Sequence, residues 1–170
     1  MRKVILSLIL FTVTLFSCPF DEAGVDMTVL WHKNIYGSAK SGNFNKAEKQ
    51  IIQNKKLYKY FGSSVYNGLI AAAKSKNKAR IKQILDGTLK SEVKEYLGQA
   101  ERSFSKYQQA RLHVVKAKRH LRALTRSRQS MGYIKKILKS LGNPGLSGLG
   151  KRPANKAEFK KYKSLLLRSI

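Results

Sequence analysis

Apolar positions recur every three to four residues along most of the chain, and long strictly alternating stretches are absent, so the pattern predicts helices and no sheet. A first helix is expected from about Asp26 to Tyr36, with Val29, Leu30 and Tyr36 at helical spacing. Ser41-Gly42-Asn43 breaks it, after which Asn45 and Glu48 form a capping-box pattern ahead of Ile51, Ile52, Leu57 and Tyr58. Gly62-Ser63-Ser64 precedes a third helix carrying Val65, Tyr66, Leu69, Ile70 and Ala73. A fourth carries Ile81, Ile84 and Leu85 and is expected to stop at Asp86-Gly87. The Ala-Lys-Ser triplets at Ala39 and Ala73 are offset by 34 residues, a period typical of helical-hairpin repeats such as tetratricopeptide or ankyrin units. Two units fall short of a solenoid, and two similar hairpins in one bundle fit the pattern equally.

The most regular pattern follows. Val93, Tyr96, Ala100, Ser103, Tyr107, Ala110, Val114, Ala117, Leu121 and Leu124 alternate by four and three, a heptad seam on a helix expected from a Thr88 cap to about Arg128. Such a helix would be roughly 60 Å long, with small residues at Ser103, Ala110 and Ala117 admitting a close neighbour and Gly98 as a kink. Met131, Ile134, Ile137, Leu138 and Leu141 mark a shorter helix folding back on it. A loop, Gly142 to Pro153, leads to a last helix capped by Asn155 with Glu158 and carrying Phe159, Tyr162, Leu165 and Leu166. The expected fold is all-α: a helical bundle with one long helix and shorter helical hairpins packed against it.

Composition narrows this picture. Of the 170 residues, 42% are hydrophobic, enough for a core in one ordinary domain and too many for a disordered polycation. The one cysteine, Cys18, makes no internal disulfide, so helix packing has to stabilise the fold. Thirty-five Lys and Arg face nine Asp and Glu, a formal charge of +26 and a pI near 10.4. That imbalance favours anionic partners and works against compactness by self-repulsion.

Cys18 follows Arg2-Lys3 and an apolar stretch, Val4 to Phe16, of signal-core length and too short to span a bilayer. Leu15-Phe16-Ser17-Cys18 resembles the lipobox of bacterial lipoproteins, in which the thiol receives a diacylglycerol and the chain is cut before it. Phe16 stands where a small residue is usual, a departure found in the relaxed lipoboxes of spirochaetes. The resemblance implies a signal peptide at 1–17, lipid attachment and a short tether at 18–25, and an all-helical domain at 26–170. An uncleaved anchor or an ordinary secretory signal are the alternatives. Together with the lysine-, asparagine- and isoleucine-rich composition, the chain resembles spirochaetal surface lipoproteins such as the plasmid-encoded OrfD-type group. That likeness implies an outer-membrane, lipid-anchored, cell-surface location and transfers no functional residue beyond Cys18.

The charge is unevenly spread. No acid occurs between Glu101 and Glu158, an interval that holds twelve or more basic residues. At about 100° per residue, Arg111, Lys118, Arg119, Arg122 and Arg126 fall within roughly a 100° arc, beside the apolar seam. Lys135, Lys136 and Lys139 extend the cluster. Like charges four apart, such as Lys118 and Arg122, cost a few tenths of a kcal/mol each. The expectation is an anion-binding face for sulfated glycosaminoglycans or acidic host proteins; Arg forks suit sulfate, phosphate and carboxylate. The bland alternative is a solvated face. A periplasm-facing structural role against anionic lipid, cell-wall polymer or nucleic acid is the alternative function, and the long seam could form a homodimer.

Other motifs carry little. Gly145 to Arg152 resembles a P-loop, but Arg152 replaces the magnesium-binding hydroxyl and Pro153 follows it. His32, His113 and His120 lack metal spacing and are expected to be solvated or packed. Glu92 and Glu95 have no accompanying base or nucleophile and read as helix surface. Tyr58 and Tyr60, beside Lys55, Lys56 and Lys59, are the candidates for stacking on nucleic-acid bases, and Trp31 reads as core. No catalytic set, metal site or cofactor motif emerges, so the expectation is a binding protein and not an enzyme.

Overall fold

The computed structural model describes residues 26–145 and 151–170. The expected signal peptide, Cys18 and the tether lie outside the described residues, as does most of the Gly145–Arg152 motif. The fold is an all-α bundle. In chain order its helices are α1 (Met27–Lys40), α2 (Phe44–Gln53), α3 (Lys55–Tyr60), α4 (Ser63–Lys74), α5 (Lys78–Arg102), α6 (Tyr107–Leu124), α7 (Arg128–Ser140) and α8 (Lys156–Arg168).

Two hairpins, α1–α2 and α4–α5, are built alike. Each first helix ends on a serine with φ −80° and ψ 4°, Ser41 and Ser75. The next residue is left-handed, Gly42 at φ 80° and Lys76 at φ 54°. The following asparagine donates its N–H back to a helix carbonyl, Asn43 to Ser38 at 2.9 Å and Asn77 to Ala72 at 2.8 Å, which closes a Schellman turn. The same asparagine side chains then cap α2 and α5, accepting from Lys46 N and Arg80 N at 3.0 and 2.9 Å. Asn43, rather than the expected Asn45, is therefore the cap of α2. Buried positions repeat at the 34-residue offset of the two triplets: Ile35 and Leu69, Ala39 and Ala73, Ala47 and Ile81, Ile51 and Leu85. The periodicity in the sequence thus corresponds to one hairpin geometry used twice.

The helix expected over Thr88–Arg128 differs in two ways. Its start lies earlier, because α5 runs without interruption through Asp86 and Gly87. Thr88 sits inside the helix with its hydroxyl donating to Leu85 O at 2.7 Å, so it caps nothing. The helix also ends at Arg102, and Ser103 to Lys106 turn the chain into α6. Ser103 closes the end by donating its N–H and Oγ to Gln99 O at 3.0 and 2.7 Å. The heptad residues remain an apolar seam, but the seam folds on itself. Val93, Tyr96, Leu97 and Ala100 of α5 and Ala110, Val114, Ala117 and Leu121 of α6 are all buried in one cluster. The surface that suggested a homodimer is consumed within one chain. At 25 residues, α5 is still the longest helix, about 37 Å.

That helix joins two cores. Ile81 and Leu85 close the first with α1–α4, around Ile35, Ile51, Tyr58 and Leu69. Its C-terminal half closes the second with Ile134 and Ile137 of α7 and Phe159 and Leu166 of α8. Phe104, in the α5–α6 turn, meets Phe159 edge to face at 5.4 Å. Glu101 at the end of α5 receives Lys163 at 2.7 Å and Lys160 at 3.7 Å, which ties α8 to that end. Asn143 and Arg152 exchange backbone hydrogen bonds at 2.8 and 2.9 Å and set up the Asn155 cap of α8, which accepts from Glu158 N at 2.9 Å.

Candidate anion-binding face

The basic residues singled out in the sequence lie on α6, on α7 and in the link between them. On α6, Arg111, Lys118 and Arg122 fall within about 40° of one another, with Arg119 roughly 60° further round. The buried residues Ala110, Val114, Ala117 and Leu121 occupy the neighbouring arc. Arg111, Arg119 and Arg122 are exposed and Lys118 is half-buried, its stem close to the apolar stripe. Arg126 departs from the expectation. Because α6 ends at Leu124 and Thr125 is extended, Arg126 belongs to the short link before α7 and does not continue the α6 stripe. On α7, Lys135, Lys136 and Lys139 are all exposed, opposite the buried Ile134 and Ile137. Lys136 lies over the Tyr162 ring of α8, 4.9 Å from its centroid.

Four of the seven carboxylates of the described residues are engaged elsewhere. Asp86 takes Lys82 and His32, Glu48 takes Lys74, Glu95 takes Arg102, and Glu101 takes Lys160 and Lys163. Among the described residues, no carboxylate lies within ion-pair distance of Arg111, Lys118, Arg122, Arg126, Lys135, Lys136 or Lys139. Exposed lysines also occur on the other half, Lys49, Lys56, Lys78 and Lys90 among them. There they share the surface with Glu48, Asp86 and Glu95; α6 and α7 themselves carry no acid, and Glu158 of α8 lines a hollow with Lys139.

Sequence reasoning missed a buried polar cluster beneath this face. Asp26 caps α1, its Oδ1 accepting from Val29 N at 3.2 Å, and its Oδ2 lies 3.2 Å from His120 Nε2 of α6. The two atoms lack hydrogen-bond alignment and have no other partner, so the contact is an ion pair. His120 is fully buried. Its Nδ1 lies 3.1 Å from Lys116 O and donates to that carbonyl, so Nε2 carries a proton toward Asp26 only when the ring is charged. Burial pulls His120 down, but Asp26 outweighs it and the imidazole titrates above its ordinary value. Burial likewise pushes the Asp26 carboxyl up, and His120 with the α1 N–H groups more than reverses it. Glu92 of α5, expected on the surface, is 7% exposed and faces the same cluster. Burial raises its carboxyl, with Asp26 and Glu95 adding repulsion against His120 and Tyr96. His32, also buried, donates from Nε2 to Asp86 Oδ1 at 3.0 Å, yet burial keeps it below its ordinary value. The expectation of packed histidines holds for His32 and His120, with carboxylate partners that no local spacing announced.

Tyr58 is buried in the first core and unavailable for stacking, because α3 turns it inward; Tyr60 is 68% exposed. Among the described residues no group of His, Cys, Asp and Glu is arranged to hold a metal ion, and no helix is long and apolar enough to cross a membrane. No family model, no curated protein and no solved structure matches this chain.

Proposed function

We propose that this chain is a lipid-anchored surface protein of a bacterial outer membrane that captures polyanions, sulfated glycosaminoglycans or acidic host proteins, through the basic face of α6 and α7. The observation that supports it is the absence, among the described residues, of any carboxylate partner for Arg111, Lys118, Arg122, Lys135 and Lys139 on an exposed surface. Like charges crowded without compensation cost stability, and a polyanion would supply the missing counter-charge. Acids would serve solubility better than this many cations. The anchor is Cys18 by resemblance to a lipobox, and two or three acyl chains at about 0.8 kcal/mol per buried methylene give a stable attachment.

Retention of the 26–170 fragment on immobilised heparin tests the face. The expected result is retention that falls steeply with salt, by analogy with counterion release. Arg111→Glu, Lys118→Glu and Arg122→Glu together abolish it, whereas the same reversal at Lys49, Lys56 and Lys78 leaves most of it. Equal losses in the two triple variants would mean that net charge, and no particular face, governs binding. Incorporation of labelled fatty acid, lost in Cys18→Ser, tests the anchor, and protease treatment of intact cells tests surface exposure.

A further inference from the structure

The chain enters the fold beside a run of uncompensated cations. Asp26, the first described residue, caps α1 and meets His120 of α6 at 3.2 Å. Lys118, Arg119 and Arg122 lie within two residues of His120, about 3 Å along the helix axis. Lys118 and Arg122 project from the opposite side of α6, but a helix with its side chains is only about 10–12 Å across. Arg126, in the link, and Arg128, at the start of α7, follow directly. Residues 118–128 thus hold five cations and no acid. Among the described residues no carboxylate pairs with Lys118, Arg122, Arg126 or Arg128.

Asp26 follows Cys18 by eight residues, a reach of at most about 28 Å. With Cys18 as the lipid anchor, the reading proposed above and the one on which this inference rests, that reach exceeds the width of α6. The basic segment is therefore held within range of the bilayer surface. The far end of the first core lies farther off. There α1 spans about 21 Å and carries the α1–α2 turn away from Asp26. His32 meets Asp86, which lays α1 along α5 and puts the α4–α5 turn at the same remote end. An anionic leaflet attracts Lys and Arg that come within a Debye length, about 8 Å at physiological salt, and each such residue raises binding about fivefold. Asp21 and Glu22 in the tether are too few to balance five cations.

We propose that the basic segment Lys118–Arg128 docks on the anionic bilayer that carries the anchor, and that a soluble polyanion has to displace it from there to reach the same face.

Both cores are built from residues 26–170, so that fragment carries the fold. A histidine tag placed before Asp26 holds it on vesicles through a nickel-chelating lipid, which tests docking whether or not Cys18 is acylated. The fragment has no cysteine. A dye at Gln129→Cys, next to the link, or at Asn45→Cys, past the α1–α2 turn, therefore reports its distance from a headgroup acceptor by energy transfer. At about 0.1 M salt the Gln129→Cys signal is expected to be at least about twofold higher on phosphatidylglycerol vesicles than on phosphatidylcholine, and the gain is lost at about 1 M salt. The Asn45→Cys signal does not rise. Lys118→Glu, Arg122→Glu and Arg126→Glu together remove the gain, whereas the same reversal at Lys46, Lys49 and Lys78 retains it. Added heparin returns the signal to its phosphatidylcholine value. Equal signals on the two lipids overturn the proposal, as does a gain that survives reversal of Lys118, Arg122 and Arg126 or that resists heparin. Fatty-acid labelling and retention on immobilised heparin judge the anchor and the anion-binding face separately from this lipid comparison.

Discussion

The Asp26–His120 pair ties the first turn of α1 to α6, and its removal has a calculable and pH-dependent cost. His120 is fully buried and Asp26 is 8% exposed, so neither can recruit solvent when its partner is lost. His120→Gln leaves the Asp26 carboxylate buried beside Glu92. Breaking a buried pair from one side costs about 3–5 kcal/mol, a large share of the roughly 5–15 kcal/mol that holds a domain folded. Asp26→Ser separates the two roles of that residue, because serine retains the N-cap, worth about 1 kcal/mol. The double variant should cost less than the sum of the single ones by about 0.5–3 kcal/mol. The pH dependence follows from linkage. His120 titrates above its unfolded value of 6.5, so its contribution is complete below 6.5 and is lost as pH rises through the higher folded value. Asp26 titrates below its unfolded value of 3.8, so its contribution is complete above 3.8 and is lost as pH falls through the lower folded value. The difference in unfolding free energy between wild type and His120→Gln, measured by urea titration across this range, is therefore largest between about pH 4 and 6.5 and shrinks on the alkaline side. A difference that is flat from mildly acid to alkaline pH, or an Asp26→Ser cost no larger than a lost cap, would refute the ion-pair reasoning.

Further outcomes follow from the same structure. Lys76 holds the left-handed position that glycine fills in the equivalent turn at Gly42; Lys76→Gly should raise stability by about 0.5–1 kcal/mol in urea unfolding. Gly142, at φ 75°, has Arg152 O 2.5 Å and Ala154 N 2.8 Å from where a Cβ would stand. Gly142→Ala should therefore cost about 2 kcal/mol or more and loosen α8 in hydrogen exchange, since backbone and not a flexible side chain must move. Glu92→Gln should stabilise the fold at neutral pH, because the raised Glu92 carboxyl makes ionisation above its unfolded value of 4.5 unfavourable, and the gain should vanish in acid; a loss of stability at neutral pH would show that its charge is satisfied within the chain.

Much of the fold was legible because helices are local. The Asn155 cap accepts from Glu158 N as the spacing suggested, and Ile134, Ile137, Phe159 and Leu166 are buried as their periodicity required. The 34-residue echo of the two Ala-Lys-Ser triplets corresponds to a real pair of turns. Most basic residues of α6 and α7, Arg111, Arg119, Arg122, Lys135, Lys136 and Lys139 among them, are exposed because the apolar stripe occupies the opposite side. Only tertiary structure decided the rest. No proline or glycine marks the Ser103–Lys106 turn, and a heptad seam has the same pattern whether a second chain or its own other half covers it; packing of Phe104 on Phe159 and of α6 along α5 makes the choice. For the same reason Asp86-Gly87 does not stop α5, which gains burial at both ends by continuing. Asp26, His120 and Glu92 come from three distant parts of the chain, so no local spacing could join them. Charge and helical period are properties of neighbours in sequence; a buried ion pair is a property of neighbours in space.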